Sequence, residues 1–290
     1  MTVPTPTWMS DPELGDHICL PFDSVDDYLE STIGFVRSGL RRRRQVIVFT
    51  QSFRPEAMRS WLEERVPQFA GAAARGQAVV RACADVHLAG GRFDPERTMN
   101  GFAEAIDQAE ANGLDGVLVL VDMAWALRQA PGTERLLQYE AEANPVFADR
   151  RMAAVCQYDR HLFAAGTLQA ACAAHPLTPG QSELRFSRTV QPAGLRLAGC
   201  ADETNRDALT ALLAAMSATA SDLTLDLLDL SAADMTAACR IVEFAATRTP
   251  FRTTVLADER MTRLLSLLGA EELTSPGTRP EPAERGVAEG

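Results

Sequence analysis

The chain contains no lysine: all of its permanently basic side chains are arginine. That absence excludes a phosphate-binding G-x-x-x-x-G-K-[ST] loop, a kinase-type lysine and a Schiff-base lysine, because each needs an ε-amino group. No apolar run approaches the ~20 residues that a membrane-spanning helix needs. None of the six cysteines (Cys19, Cys83, Cys156, Cys172, Cys200 and Cys239) forms a C-x-x-C pair, so no disulfide framework is expected. The first residues, M-T-V-P-T-P-T-W-M-S-D, lack the basic start and apolar core of an export signal. The expectation is a cytoplasmic protein with reduced thiols. Basic charge is also short relative to acid. The net charge of −11 and the pI near 4.9 argue against nucleic acid or an anionic membrane as the main partner. The one basic run, Arg41 to Arg44, sits between a helical pattern and a strand and reads as a solvated helix end.

What is present is a regular alternation. Strands are expected at Gln45–Phe49, Ala78–Arg81, Gly116–Val121 and Met152–Cys156, separated by helical stretches with apolar residues at three- and four-residue spacing. Ser24 and Asp94-Pro95 mark two helix starts. This pattern predicts an α/β fold with a parallel sheet and helices on both faces. The stretch Arg151 to Phe163 organises it. An apolar run reads as a central buried strand and ends abruptly in Gln157, Tyr158, Asp159, Arg160 and His161. Ligands of open α/β sheets gather beyond the carboxyl ends of the strands. Three strand ends carry polar or aromatic groups there: Thr50-Gln51, Asp122 with Trp125, and Tyr158-Asp159-Arg160. Their convergence would make a pocket. The plain alternative is an Asp159–Arg160 ion pair capping the next helix.

A second, smaller α/β pattern follows, with strands at Leu184–Val190, Leu195–Cys200, Leu223–Leu227 and Phe251–Leu256, and helices at Asn205–Ser217, Ala233–Thr247 and Glu259–Leu268. The expected organisation is a flexible arm (1–12), a first domain (13–178), a linker (179–183), a second domain (184–273) and a disordered tail (274–290).

The first domain resembles the MEDS domain, the methanogen/methylotroph DcmR sensory domain. The resemblance rests on six pieces in order: G-D-H-I-C (15–19), F-D-P-E-R (93–97), V-D-M-A-W (121–125), Y-E (139–140), C-Q-Y-D-R (156–160) and H-P (175–176). It implies a sensory module that binds a small organic ligand, on a RecA/KaiC-like parallel sheet without the phosphate loop. The second domain resembles a STAS domain, the fold of anti-sigma-factor antagonists, over about Glu183 to Glu272, the matching stretch being Leu225 to Val242. Phosphorylated members carry Asp-Ser followed by Gly at a helix start. Here Asp234 keeps the Asp, Met235 stands at the acceptor position and Ala237 replaces the Gly. Methionine cannot take phosphate, and Thr236 is the adjacent hydroxyl. Asp234, Met235 and Thr236 are the candidate docking residues for an anti-sigma-type or kinase-like partner.

The expected function is thus signal sensing and relay in transcription control, not enzymatic turnover. The candidate ligand-binding residues are His17, Cys19, Asp122, Trp125, Glu140, Tyr158, Asp159 and Arg160. In this role Arg160 receives an anionic or carbonyl group, Tyr158 and Trp125 supply flat walls, and Asp122 and Glu140 supply charge. His17 and Cys19, two apart on an extended segment, are a ligand pair for zinc or haem iron but not a complete site. Cys156, His161, Cys83 and His87 are the residues that could complete one, so no metal and no cofactor is assigned. A thiol-based redox or metal/haem sensor is the alternative, and a cysteine enzyme built on Cys156, His161 and Asp159 a lesser one; a buried strand thiol is ordinarily inert.

Overall fold

The computed structural model describes residues 11–270 and 274–276. Its first unit is a five-stranded, wholly parallel sheet. The strands are β1 (His17–Phe22), β2 (Gln45–Thr50), β3 (Ala78–Ala82), β4 (Val117–Asp122) and β5 (Met152–Asp159), in the order β1-β5-β4-β2-β3. The expected strand at Met152–Cys156 runs on to Asp159, so Gln157 and Tyr158 belong to the sheet. β4 and β5 are buried along almost their whole length, which is why they read as continuous apolar runs.

Alternation along the strands divides the side chains between two layers. Ile18, Leu20, Val46, Val48, Leu118, Leu120, Ala153 and Val155 face helices α1 (Val25–Arg41), α2 (Pro55–Arg65) and α3 (Phe69–Ala74). Cys19, Ile47, Phe49, Val119, Val121, Ala154, Cys156 and Tyr158 face the other way. That second face follows the short α4 (Cys83–Val86) and is covered by α5 (Pro95–Ala111), α6 (Leu136–Glu142), α7 (Asn144–Phe147) and α8 (Ala165–Ala174). Ser24 and Asp94 start α1 and α5 as their positions predict, accepting from the backbone N–H of Asp27 and Arg97.

The arm expected at 1–12 lies outside the described residues up to residue 10. Asp11 is tied down, pairing with Arg42 at 2.5 Å and Arg41 at 3.1 Å. Arg44 is buried and donates to the Pro12 carbonyl at 2.7 Å. The basic run is therefore a clasp on Asp11 and Pro12.

The second unit is a mixed sheet, β10-β9-β8-β7-β6, built from β6 (Leu184–Val190), β7 (Ala193–Ala201), β8 (Leu223–Ala233), β9 (Thr253–Ala257) and β10 (Thr274–Pro276). β6 and β7 form an antiparallel hairpin; the remaining pairings are parallel. β8 extends six residues past its expected end, through irregular register shifts against β7. β10 lies where the tail was expected to begin, and residues 277–290 are outside the described residues. Helices α9 (Arg206–Ser217), α10 (Met235–Thr247) and α11 (Glu259–Ser266) complete the unit. α9 packs against α6, α7 and α8 of the first unit, so one apolar cluster runs through both. Among the described residues, no helix is long and apolar enough to cross a membrane.

Candidate functional site

β1 opens on His17, α8 is closed by His175, and α6 presents Glu140 to the sheet. His17 starts β1, and parallel pairing sets it opposite Ala154 of β5. Two residues farther along β5, on the same face, stands Cys156. Glu140 hangs from α6, and His175 is the residue that ends α8. All four are buried, and their ligand-type atoms lie within 4.8 Å of one another.

Hydrogen bonds fix how these groups are oriented. Asn144 is fully buried, and its Nδ2 donates to the carbonyls of Ala141 and Ala174, each at 2.9 Å. Its Oδ1 therefore faces His17 Nδ1, at 3.0 Å, and can only accept. The His17 Nδ1 must carry hydrogen, which leaves the lone pair of the neutral ring on Nε2. His175 is set the same way: its Nδ1 lies 2.7 Å from the Ala171 carbonyl, so that nitrogen donates and Nε2 carries the lone pair. The His175 Nε2 is buried with no hydrogen-bond partner.

Both Nε2 atoms point at one oxygen. Glu140 Oε2 is 3.3 Å from His17 Nε2 and 3.4 Å from His175 Nε2. The other oxygen, Oε1, accepts from the Tyr158 hydroxyl at 3.2 Å. Cys156 Sγ lies 3.7 Å from His17 Nε2 and 3.8 Å from Glu140 Oε2. Burial by itself pushes the Glu140 carboxyl up; the Tyr158 hydroxyl and, when their Nε2 atoms carry a proton, His17 and His175 outweigh it and hold the group below its ordinary range. Burial, with His17 beside it, lowers the His175 imidazole to about 3. Burial raises the Cys156 thiol well above its ordinary value, and the Glu140 charge adds to that.

Next to these atoms is a cavity of about 20 Å³, walled by Val121, Met123, Trp125, Tyr139, Phe147 and His87 among others. That is room for about one water molecule. The buried Trp125 Nε1 and His87 Nδ1 have no partners. Burial lowers the His87 imidazole to about 4.

Of the candidate ligand-binding residues, His17, Glu140, Tyr158 and Trp125 come together here, joined by Cys156 and His87 from the residues considered for a metal site. Cys19, Asp122, Asp159 and Arg160 do not. Cys19 lies two residues along β1, with its Sγ 3.9 Å from Cys172 Sγ. Asp122 is buried at the end of β4, where Oδ2 accepts from the backbone N–H of Gln51 (3.0 Å) and Ser52 (2.7 Å) and Oδ1 from that of Ala124 (3.1 Å). It splices β2 to β4. Asp159 accepts from the backbone N–H of His161 at 2.8 Å and turns the chain. Arg160 is half exposed, 3.5 Å from Asp23, and faces solvent. The three strand ends are thus closed by backbone hydrogen bonds, and the polar centre lies instead under the sheet face, roofed by α6 and α8. His161 is exposed, so the Cys156–His161–Asp159 arrangement does not form. Cys83 donates to the Asp122 carbonyl, away from the centre. Among the candidate docking residues, Asp234 caps α10 by accepting from Ala237 N–H at 2.7 Å, and Met235 and Thr236 are exposed.

Two members of the centre, His175 and Asn144, were not foreseen from the sequence. Both stand at helix ends, where a polar residue ordinarily reads as a terminator. The H-P step at 175–176 was the signal available.

Residues 16–176 match the family model described as MEDS, the MEthanogen/methylotroph, DcmR Sensory domain. No curated protein matches the chain. Among solved structures, a KaiC-like protein from the hyperthermophilic archaeon Pyrococcus horikoshii OT3 is 10% identical, with a TM-score of 0.43, covering 65% of this chain and 79% of that one. The flagellar accessory protein FlaH from Methanocaldococcus jannaschii is 8% identical, with a TM-score of 0.41 and coverages of 68% and 81%. The RadB recombinase is 13% identical, with a TM-score of 0.35 and coverages of 67% and 90%. The matched segment holds the whole of the buried centre, from His17 to His175, and the chain belongs to the MEDS sensory-domain family.

Proposed function

We propose that this is a signal-responsive regulatory protein. The buried centre of its first unit binds a small ligand, and the second unit, which is STAS-like, relays the change to a protein partner of the anti-sigma or kinase-like type in transcription control. One observation carries the reading: the parts that hold the centre also hold the second unit. Glu140 sits on α6 and His175 ends α8, and both helices seat α9. Asp16, the residue before His17, is buried and ion-paired with Arg185 of β6. Arg188 of β6 adds a backbone hydrogen bond to Ala148 at 2.8 Å and a side-chain bond to Asp149 at 2.7 Å.

A ligand larger than a water molecule needs the walls of the 20 Å³ cavity to move, chiefly α6 and α8 against the sheet. Such a ligand binds one arrangement better than the other, which is the requirement for a switch. The same dimension disfavours haem at this centre. The hairpin followed by parallel strands and helices in the second unit supports the STAS-like reading, with Met235 and Thr236 exposed at the start of α10 as the docking point.

A catalytic reading has one specific point in its favour. Cys156, His17 and Asn144 have the residue types and order of a thiol-hydrolase triad. Three facts weigh against it: the thiol is buried, its proton is held more tightly than usual with Glu140 beside it, and the cavity beside it holds only about 20 Å³.

The test is hydrogen exchange of the full chain, comparing the wild type with Glu140→Gln. The reading expects altered protection in α6 and α8 and also in α9 and β6. Changes confined to the first unit would show a centre uncoupled from the second and would overturn the relay.

A further inference from the structure

The four groups under the sheet face satisfy the conditions for a transition-metal site more closely than those for a hydrogen-bonded core. Two imidazole lone pairs and a carboxylate oxygen converge with no hydrogen between the Glu140 and His175 atoms that any neighbouring donor supplies. In an ordinary buried network each acceptor faces a donor. Here the Cys156 thiol is the one weak donor at Glu140 Oε2, at 3.8 Å, while two imidazole lone pairs face the same oxygen, an arrangement that a cation among them would satisfy. A proton shared with His17 answers for one contact only. The lone pair of His175 Nε2, completely buried and unpartnered, is left over.

Four of the six separations match those around an ion, and the two from His175 Nε2 to His17 Nε2 and Cys156 Sγ are within 4.8 Å. A tetrahedral centre with nitrogen and oxygen ligands at ~2.0–2.1 Å and a thiolate at ~2.3 Å has edges of roughly 3.3–3.4 Å between the lighter atoms and roughly 3.5–3.7 Å to sulfur. The corresponding distances are 3.3 and 3.4 Å from Glu140 Oε2 to the two imidazoles, and 3.7 and 3.8 Å from Cys156 Sγ to His17 Nε2 and Glu140 Oε2. The outer partners fit as well. Ligating histidines characteristically donate their other ring N–H to a carbonyl, and ligating carboxylates are themselves hydrogen-bonded. His17 donates to Asn144, His175 to the Ala171 carbonyl, and Tyr158 donates to the non-facing oxygen of Glu140.

We propose that His17 Nε2, His175 Nε2, Glu140 Oε2 and Cys156 Sγ form a site for a divalent transition ion, zinc before others, in the first unit. Nitrogen, sulfur and a single carboxylate oxygen select such an ion over magnesium or calcium. As the metal–sulfur bond forms, the Cys156 S–H bond breaks and its proton leaves to solvent; nothing is oxidised or reduced, and carboxylate plus thiolate balance the two positive charges. Of the sequence pair His17 and Cys19, only His17 takes part, because Cys19 is engaged with Cys172. The assignment deepens the reading of this centre as the sensing site: the metal is what a small ligand would meet on the side of the 20 Å³ cavity.

The experiment uses the full chain, stripped with a chelator, desalted, and titrated with Zn²⁺ against a competing indicator and separately with Co²⁺. The expected result is one tightly held ion per chain, with a thiolate-to-cobalt absorption band. Cys156→Ser, nearly the same size, should keep the fold by circular dichroism and lose the band. His17→Ala and His175→Ala should each weaken Zn²⁺ binding by about a hundredfold or more, since even outer-shell losses cost about 10–100-fold. His161→Ala removes an exposed imidazole and should change nothing. Absence of stoichiometric Zn²⁺ binding by the folded wild type overturns the site. So does a Cys156→Ser, His17→Ala or His175→Ala variant that remains folded and binds as the wild type does. The sensing reading is judged separately, by hydrogen exchange with and without Zn²⁺: an ion that binds without altering α9 or β6 keeps the metal site and removes the relay.

Discussion

Two carboxylates of the first unit are equally hidden, Asp122 with 1% of its surface exposed and Glu140 with 2%, yet they are in opposite situations. Asp122 receives three backbone N–H groups and faces nothing that repels it. Glu140 receives one phenol hydroxyl and, weakly, the Cys156 thiol, and faces two imidazole nitrogens that carry lone pairs. Burial alone does not separate a structural acid from a functional one; the direction of the surrounding donors does. Asp122 holds the sheet's end together. Glu140 is held in a posture that its own neighbours leave incomplete.

The sharpest way to break that comparison is to remove each charge. Asp122→Ala orphans the N–H groups of Gln51, Ser52 and Ala124 and should cost on the order of 3 kcal/mol, read as a lower urea midpoint. Glu140→Gln in chelator-treated protein should cost about 1 kcal/mol or less, because the carboxamide keeps the shape and its N–H can donate to an imidazole lone pair. A Glu140→Gln loss as large as that of Asp122→Ala would make both residues structural.

The thiols extend the comparison. Burial raises the Cys19 thiol well above its ordinary value, as it does for Cys156. Cys172 goes the other way, lowered to about 7, because Cys19 donates to its sulfur; it also borders a cavity of about 350 Å³ between α8 and the second unit. Thiol reagent followed by mass mapping should find exposed Cys239 first and Cys172 ahead of Cys19, Cys83 and Cys156, with the lead of Cys172 growing as pH rises through 7. Rapid labelling of Cys156 would revive the nucleophile reading.

How much of this was legible depended on where each signal lay. The apolar run Val117–Val121 and the caps Ser24 and Asp94 are local, and the strand and both helices appear where they predict. The short helices α3, α4 and α7 carry too few residues for periodicity to show, and their existence depends on packing. β8 continues through Asp229 and Ser231 because pairing with β7 overrides a polar pattern. The buried centre was only partly legible for a related reason. Polar residues at strand ends suggested a pocket at the sheet edge, but the backbone used them up there. Successive members of the set His17, Glu140, Cys156 and His175 lie 16 to 123 positions apart in the chain, and only the docking of α6 and α8 on one sheet face brings them together.

Arg160 gives the smallest effect and the clearest contrast with the centre. In the sequence it closes C-Q-Y-D-R, directly beside Tyr158, and it looks like the natural anchor for an anionic ligand. In the structure its side chain is 47% exposed, and its partner Asp23, at 3.5 Å, is 72% exposed. Its fixed contribution is through the backbone, where its N–H donates to the Phe22 carbonyl at 3.0 Å and survives any side-chain change. Arg160→Ala should therefore shift stability by no more than about 0.5 kcal/mol, the range of exposed ion pairs. It should leave Zn²⁺ affinity within about twofold, since screening by water and salt leaves little of its field at the centre. A large fall in binding on removing this arginine, with the fold intact, would mean that the strand end and the buried centre act as one site.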